Sequence, residues 1–289
     1  MNTKDTLHSL IKIAVIISIL CFFPAAVFAS AKSPVTPDIK AAILIDLKTG
    51  KVLYSQNPDK VIQPASLSKI MSLYLVAEDI SKQKASYLDL VTVSDAAVQT
   101  GGSKMLFEPG AQCDVFDLVA GMAVHSANDA AVALAEHFDG SVEQFVKRMN
   151  NKAKMLGLNQ THFVNPNGLP DQKQKTTARD ICRLSRDYIR RFPDARKIHS
   201  MESFTFNGLI LNNRNDLLQH YQGADGLKTG YVGAAGFHVV ATASRGEVRL
   251  MAVVLGAKNK KIRSERTRKL LDYGFSRINQ KNQRNRIGG

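Results

Sequence analysis

A serine hydroxyl is a poor nucleophile until a neighbouring base takes its proton. A lysine can be that base only where burial and nearby positive charge hold its amine neutral. Ser66 and Lys69 offer such a pair three residues apart, a spacing that returns both side chains to one face of a helix. Pro64 stands just ahead of them, and Leu67, Ile70, Met71 and Tyr74 follow at helical spacing. The pair is therefore expected at a helix start, where free N–H groups and the helix dipole favour a developing negative charge. Two more short motifs follow in order, Ser126-Ala127-Asn128 and Lys228-Thr229-Gly230. A lysine beside a threonine hydroxyl can bind a carboxylate, and a strand carrying them can offer backbone N–H groups to an extended ligand.

Each motif also occurs elsewhere, so context must choose among the copies. Ser9/Lys12 repeats the first motif in an apolar leader, and Ser81/Lys84 repeats it in a polar run that reads as exposed. Ser55/Asn57 repeats the second. Lys48-Thr49-Gly50 repeats the third at the tip of a predicted hairpin, where glycine and polar residues belong in any case. Taken singly, Ser126 also reads as a helix N-cap, Asn128 as a surface polar residue and Lys228 as a strand-edge charge. The ordered triple is what selects the chemical reading.

The elements that must position these residues follow from periodicity. Ala41 to Asp46 and Lys51 to Tyr54 read as a hairpin around Leu47-Lys48-Thr49-Gly50. Residues 78–200 read as mainly helical, with helices expected at Val115 to Val124, Ala127 to His137 and Val142 to Leu156. Loops punctuate them at Thr100 to Ser103 and Asn165 to Pro170. From about residue 225 the pattern returns to strand. Val239 to Ala243 and Val248 to Leu255 flank the turn Ser244-Arg245-Gly246-Glu247, and a basic amphipathic helix covers Lys261 to Phe275. Strands at both ends with helices between imply an α+β fold: one mostly antiparallel sheet built from both chain ends, a helical second lobe, and a site in the cleft between them.

At this point the chain resembles the low-molecular-mass penicillin-binding proteins, the serine-type D-alanyl-D-alanine carboxypeptidase family. The resemblance extends to Pro64 to Met71, Gly102-Ser103-Lys104-Met105, Phe163 to Pro170, Asn213-Arg214-Asn215, Asp225 to Tyr231 and Leu270 to Phe275, and covers roughly residues 35–278. It implies a two-lobed fold of the DD-peptidase/β-lactamase type and removal of the terminal D-alanine from peptidoglycan stem peptides. Ser66 would form the acyl-enzyme, with Lys69 as general base and Ser126 relaying a proton to the leaving D-alanine. Asn128 would hold the substrate amide, and Lys228 and Thr229 the terminal carboxylate. The N–H groups of Ser66 and Tyr231 would form the oxyanion hole, whose loss costs ~10²–10³ in rate. β-Lactam antibiotics would be covalent inhibitors. A D,D-endopeptidase cutting wall cross-links with the same machinery is the alternative, and a non-enzymatic wall-binding module a more distant one. A class A β-lactamase should carry Glu-x-x-x-Asn between the second and third motifs, and none follows Glu136, Glu143 or Glu202. The family often has a histidine shortly before a Ser/Thr-Thr-Ala-x-Asp segment, whereas Gln174 and Lys175 precede Thr176-Thr177-Ala178-Arg179-Asp180 here.

Composition is consistent with an exported globular enzyme. The 289 residues are 44% hydrophobic and 22% charged, enough to bury a full core. Lys4 and Lys12, the apolar run Ile13 to Phe23 and the small residues up to Ala29 read as a signal peptide, residues 1–29, cleaved after Ala29. The expected domains are then a peptidase domain over 30–278 and a basic tail over 279–289. Membrane association is not expected beyond the signal segment. A net charge of +14 draws the protein to anionic surfaces, but no aromatic-interleaved basic motif or zinc-finger spacing points to nucleic acid. No metal or organic cofactor is expected, because the activating groups are all side chains and no ligand cluster stands out. Export would remove Cys21, and Cys113 and Cys182 are open to either a disulfide or two buried thiols.

Overall fold

The first hairpin pairs Ala41–Asp46 (β1) with Val52–Gln56 (β2) around a turn in which the Thr49 N–H donates to Asp46 Oδ1 at 2.9 Å. In the computed structural model, which describes residues 37–287, the chain then enters a short 3₁₀ turn, Ala65–Ser68, that runs directly into helix α1, Lys69–Ser81. Helical segments follow at Asp95–Gln99 (α2), Val115–Ala120 (α3), Asn128–Asp139 (α4), Val142–Met155 (α5), Ala178–Arg191 (α6) and Ala195–His199 (α7), within the stretch expected to be helical, and at Leu217–His220 (α8) beyond it. Side-chain caps mark several starts: Ser94, Asp114, Ser141 and Thr177 each accept from a backbone N–H three residues on.

Two small antiparallel pairs were not legible, one inside the stretch expected to be helical and one just after it. Leu90–Thr92 (β3) pairs with Gln112–Asp114 (β4), and Ser203–Phe206 (β5) forms a hairpin with Leu209–Asn212 (β6). All four strands have three or four residues, too few for a period of two to stand out. The helix expected over Val115 to Val124 also changes character midway, because Gly121–His125 forms a π-helical turn.

Ala224–Val232 (β7), Gly236–Arg245 (β8) and Val248–Ala257 (β9) close the architecture. The main sheet has the order β2-β1-β9-β8-β7, antiparallel throughout, so strand β1 from one end of the chain pairs with β9 from the other, Ile43 opposite Val253. Helix α6 packs on one face of β1 and β9, and the last helix, Lys260–Ile287 (α9), packs on the other. The period of two sorts the strands between these layers. Ile43, Ile45, Val240 and Val253 join the large core shared with the helical lobe, while Leu44, Val239, Leu250 and Val254 pack with Leu270, Leu271 and Phe275 of α9.

α9 continues twelve residues beyond Phe275, the limit expected for the last helix, to Ile287. Cys113 and Cys182 are both buried free thiols, which settles the alternative left open above. The signal segment and Cys21 lie outside the described residues. Among the described residues, no helix is long and apolar enough to cross a membrane.

Candidate active site

Ser66 lies on the 3₁₀ turn just before α1, one turn earlier than an ordinary helix start would place it. Ala65 beside it has a left-handed backbone, φ +50°, a conformation that costs a non-glycine residue roughly 1–2 kcal/mol. Neighbouring backbone holds the turn in that shape. A Cβ on Gly230 would come within 3.2 Å of both Ser66 N and Ala65 Cβ, and one on Gly168 would collide with the Ala65 carbonyl. These two glycines let strand β7 and the 164–169 loop close on the nucleophile from two sides. His238 of β8 fixes the turn from below, with Nε2 3.1 Å from Gln63 O and Nδ1 accepting from Gly256 N at 2.9 Å. That pattern requires a neutral ring, and burial holds its pKa down at about 4.

Lys69 is fully buried, and its Nζ has three oxygen neighbours: Ser66 Oγ at 3.2 Å, Asn128 Oδ1 at 2.6 Å and the Asn167 carbonyl at 2.5 Å. The last two can only accept. Asn128 cannot reverse its amide, because Nδ2 donates to Gly101 O at 2.6 Å. A neutral amine has two N–H groups and one lone pair. With both N–H groups taken by fixed acceptors, the lone pair is left to face the Ser66 hydroxyl. Burial pushes the Lys69 pKa well below its ordinary value and Lys228 pushes the same way, while Asp129 opposes them. Geometry and electrostatics thus agree on a lysine able to act as a base.

Ser126 and Asn128 reach the site from the end of the π-helical turn. Ser126 is left-handed, φ +69°, and buried, a strained backbone of the sort that persists where surrounding structure enforces it. It is not the helix N-cap: that position belongs to Ala127, which has no capping side chain. Asn128 N donates to Ser103 O at 2.7 Å. The buried Asp129 carboxylate accepts from Met105 N at 2.8 Å and Leu106 N at 3.2 Å, so the loop at 101–106 is tied to the start of α4.

The third motif occupies β7, the edge strand of the sheet. Thr229 and Tyr231 line the cleft, and the Tyr231 ring stacks on Phe237 with centroids 4.3 Å apart. Lys228 lies behind them, 2% exposed, its Nζ donating to Thr229 O at 3.3 Å. Burial, reinforced by Arg214 and Arg263, lowers its pKa to about 7. Behind it His199, neutral with a pKa of about 4, bridges Leu227 O and Tyr188 Oη.

Ser66, Ser126, Asn128, Thr229 and Tyr231 thus line one cleft of about 730 Å³, with Lys69 and Lys228 in its inner wall. All seven residues singled out in the sequence are brought together. The decoys are not: Ser81, Lys84 and Thr49 are exposed on other surfaces. Sequence reasoning gave no role to Arg214, which also lines the cleft and donates to His125 Nε2 at 3.0 Å, nor to Asn167, whose contribution is a backbone carbonyl. The position of Arg214 in the flanking Asn213-Arg214-Asn215 segment was the available signal for the first.

Comparison with known proteins identifies the family. The family model described as D-alanyl-D-alanine carboxypeptidase, peptidase S11, matches residues 28–259. The D-alanyl-D-alanine carboxypeptidase DacF of Bacillus subtilis is 39% identical over 268 residues, 90% of this chain and 69% of the relative. DacC of Escherichia coli, also a D-alanyl-D-alanine carboxypeptidase, is 42% identical over 89% of this chain and 66% of its own length. Among solved structures, penicillin-binding protein D2 of Listeria monocytogenes in its cefotaxime-bound form superposes with a TM-score of 0.76 at 34% identity, covering 83% of this chain and 98% of that one. The chain belongs to the D-alanyl-D-alanine carboxypeptidase family of serine-type penicillin-binding proteins.

Proposed function

We propose that this member of the family is a serine-type hydrolase that removes the terminal D-alanine from peptidoglycan stem peptides, outside the cytoplasm, through an acyl-enzyme on Ser66. The observation that carries the reading is the Lys69 amine, buried and held by two acceptor-only oxygens so that its lone pair faces Ser66 Oγ.

In this mechanism Lys69 takes the Ser66 proton as Oγ attacks the carbonyl of the penultimate D-alanine. The negative charge developing on that oxygen is received by the N–H groups of Ser66 and Tyr231. As the C–N bond breaks, Ser126 passes its proton to the amine of the departing D-alanine and takes in exchange the one held by Lys69, which returns to the neutral form. Water then attacks the ester with Lys69 again as base, freeing the shortened peptide and Ser66. Thr229 at the surface of the cleft, with Lys228 behind it, draws in the terminal carboxylate, and Arg214 adds positive field on the same wall. Asn128 has both ends of its amide engaged by protein groups, so its first role is to orient Lys69. The second N–H of Nδ2 and the second lone pair of Oδ1 remain for contact with the substrate amide.

A β-lactam offers the same acyl chemistry without a leaving group that diffuses away, and the relative solved in its cefotaxime-bound form supports β-lactam binding here too. The carboxypeptidase description carried by the family model and by both curated relatives favours this activity over cross-link cleavage. Labelled penicillin should add its mass to a peptide containing Ser66, and a stem pentapeptide should release free D-alanine. Ser66→Ala should abolish both. A mutant labelled as well as the parent would reject the nucleophile, and monomers released only from cross-linked dimers would move the assignment to endopeptidase.

A further inference from the structure

Gln174 is a polar residue with no charge and no place in the three motifs, yet it is 2% exposed and every hydrogen-bonding group of its amide is engaged. Its Oε1 accepts from Val164 N at 3.0 Å and Asn165 N at 3.3 Å. Its Nε2 donates to Leu169 O at 2.9 Å and, more weakly, to Asn165 Oδ1 at 3.4 Å. One side chain therefore bridges the two ends of the 164–169 loop. Asn165 completes the ring from within: its Nδ2 donates to the same Leu169 carbonyl at 3.1 Å, and its Oδ1 accepts from Gly168 N at 2.7 Å. With its ends pinned, the loop turns its middle carbonyls inward. Pro166 O accepts from Ser72 Oγ at 2.7 Å, and Asn167 O accepts from Lys69 Nζ.

The anchor is itself anchored beside the nucleophile. Residues 175 and 176 exchange paired backbone hydrogen bonds with His162 and with Ile62, four residues before Ser66. Gln174 thus joins the wall that covers Lys69 to the segment that carries Ser66.

We infer that Gln174 is a positioning residue for the general base, holding the 164–169 loop so that the Asn167 carbonyl occupies one Lys69 N–H and the loop keeps water from the amine. The inference rests on the reading of Lys69 as base to Ser66. Without the amide of Gln174, Val164 N and Asn165 N lose their acceptor and Leu169 O loses a donor inside the protein, an arrangement that favours an opened, hydrated loop. Hydration restores the ammonium form of a buried lysine. The other charged groups facing Lys69, Lys228 from β7 and Asp129 from α4, are left in place by a change at residue 174.

The test is the second-order rate of acylation by a penicillin, followed by mass spectrometry over a range of pH, for the parent, Gln174→Ala and Gln174→Glu. Gln174→Glu keeps an acceptor for Val164 N and Asn165 N and loses the donors to Leu169 O and Asn165 Oδ1, so it provides a second, less disruptive variant should the alanine variant not fold. In folded variants the rate at neutral pH should fall by about tenfold or more, and the acid limb of the profile should move up by about one pH unit. A folded variant that keeps the parent limb overturns the inference, whether its rate is unchanged or merely lower, because a purely structural loss would not move a titration. Failure of the parent to acylate at all would count against the Ser66 reading and not against the role of Gln174.

Discussion

Lys69 and Lys228 share one inner wall, and burial depresses both amines, but the proposed mechanism gives them opposite tasks: one must be neutral to act as a base, the other charged to attract a carboxylate. The partner that separates them is Asn128, which presents only an oxygen to Lys69. Asn128→Asp keeps the size and replaces that dipole with a charge, which favours the ammonium form. Acylation by penicillin at neutral pH should fall by about a hundredfold, as stopped-flow measurement would register. Lys228 gives the second prediction at this scale. Its pKa of about 7 lies below that of a free lysine, so above pH 7 the empty site holds a neutral amine and must take up a proton to bind an anion. KM for a peptide with a free terminal carboxylate should therefore rise above that pH, by up to about tenfold per unit. The methyl ester of the same peptide should show no such rise. Equal pH dependence for the two ligands would remove Lys228 from carboxylate binding.

The elements were legible where their pattern was long. Strands β1, β8 and β9 and helices α4 and α5 stand within a few residues of their expected limits, because each carries a full period of buried side chains. The motif triple was legible because side-chain chemistry at fixed spacing survives without coordinates. What sequence did not yield is what backbone supplies over long separations: the Asn167 carbonyl reaches Lys69 across 98 residues, and no residue type announces a carbonyl. The left-handed Ala65 and Ser126 were hidden for the same reason, since neither residue favours that conformation and only the surrounding packing enforces it. His238 belongs here too. It stands just outside the strand expected over Val239 to Ala243, yet it joins β8, β9 and the segment leading into the turn that bears Ser66. His238 and His199 are both neutral when folded, with pKa values depressed from 6.5 to about 4. Unfolded chains protonate these rings as pH drops below 6.5, while the folded protein resists until about 4. Stability should therefore be complete above pH 6.5 and decline towards pH 4, by about 3 kcal/mol per histidine. Urea titrations across that range should show the decline, and His238→Gln, an uncharged substitute, should flatten its share of the slope.

At the scale of the whole molecule, the site depends on a sheet that joins both ends of the described chain. β1 lies between β2 and β9, and the two faces of β1, β8 and β9 feed different cores, one with the helical lobe and one with α9. Neither core can open without uncovering the strands that wall the other. Strand β7, which carries Lys228 and Thr229, is held on one side only, by β8. Damage on the α9 face should therefore reach the cleft, through the shared strands and through Arg263 of α9, which lines it. Leu271 is fully buried among Leu44, Leu250 and Phe275, and Leu271→Ala should cost about 2–5 kcal/mol through lost burial and the cavity left behind. In urea, the loss of helical circular dichroism and the loss of penicillin acylation should shift together to lower concentration, with coincident midpoints as in a single cooperative transition. Acylation that persisted after the α9 face had melted would mean that the helical lobe and β7 hold the site without that core, and that the sheet does not couple the two ends of the fold.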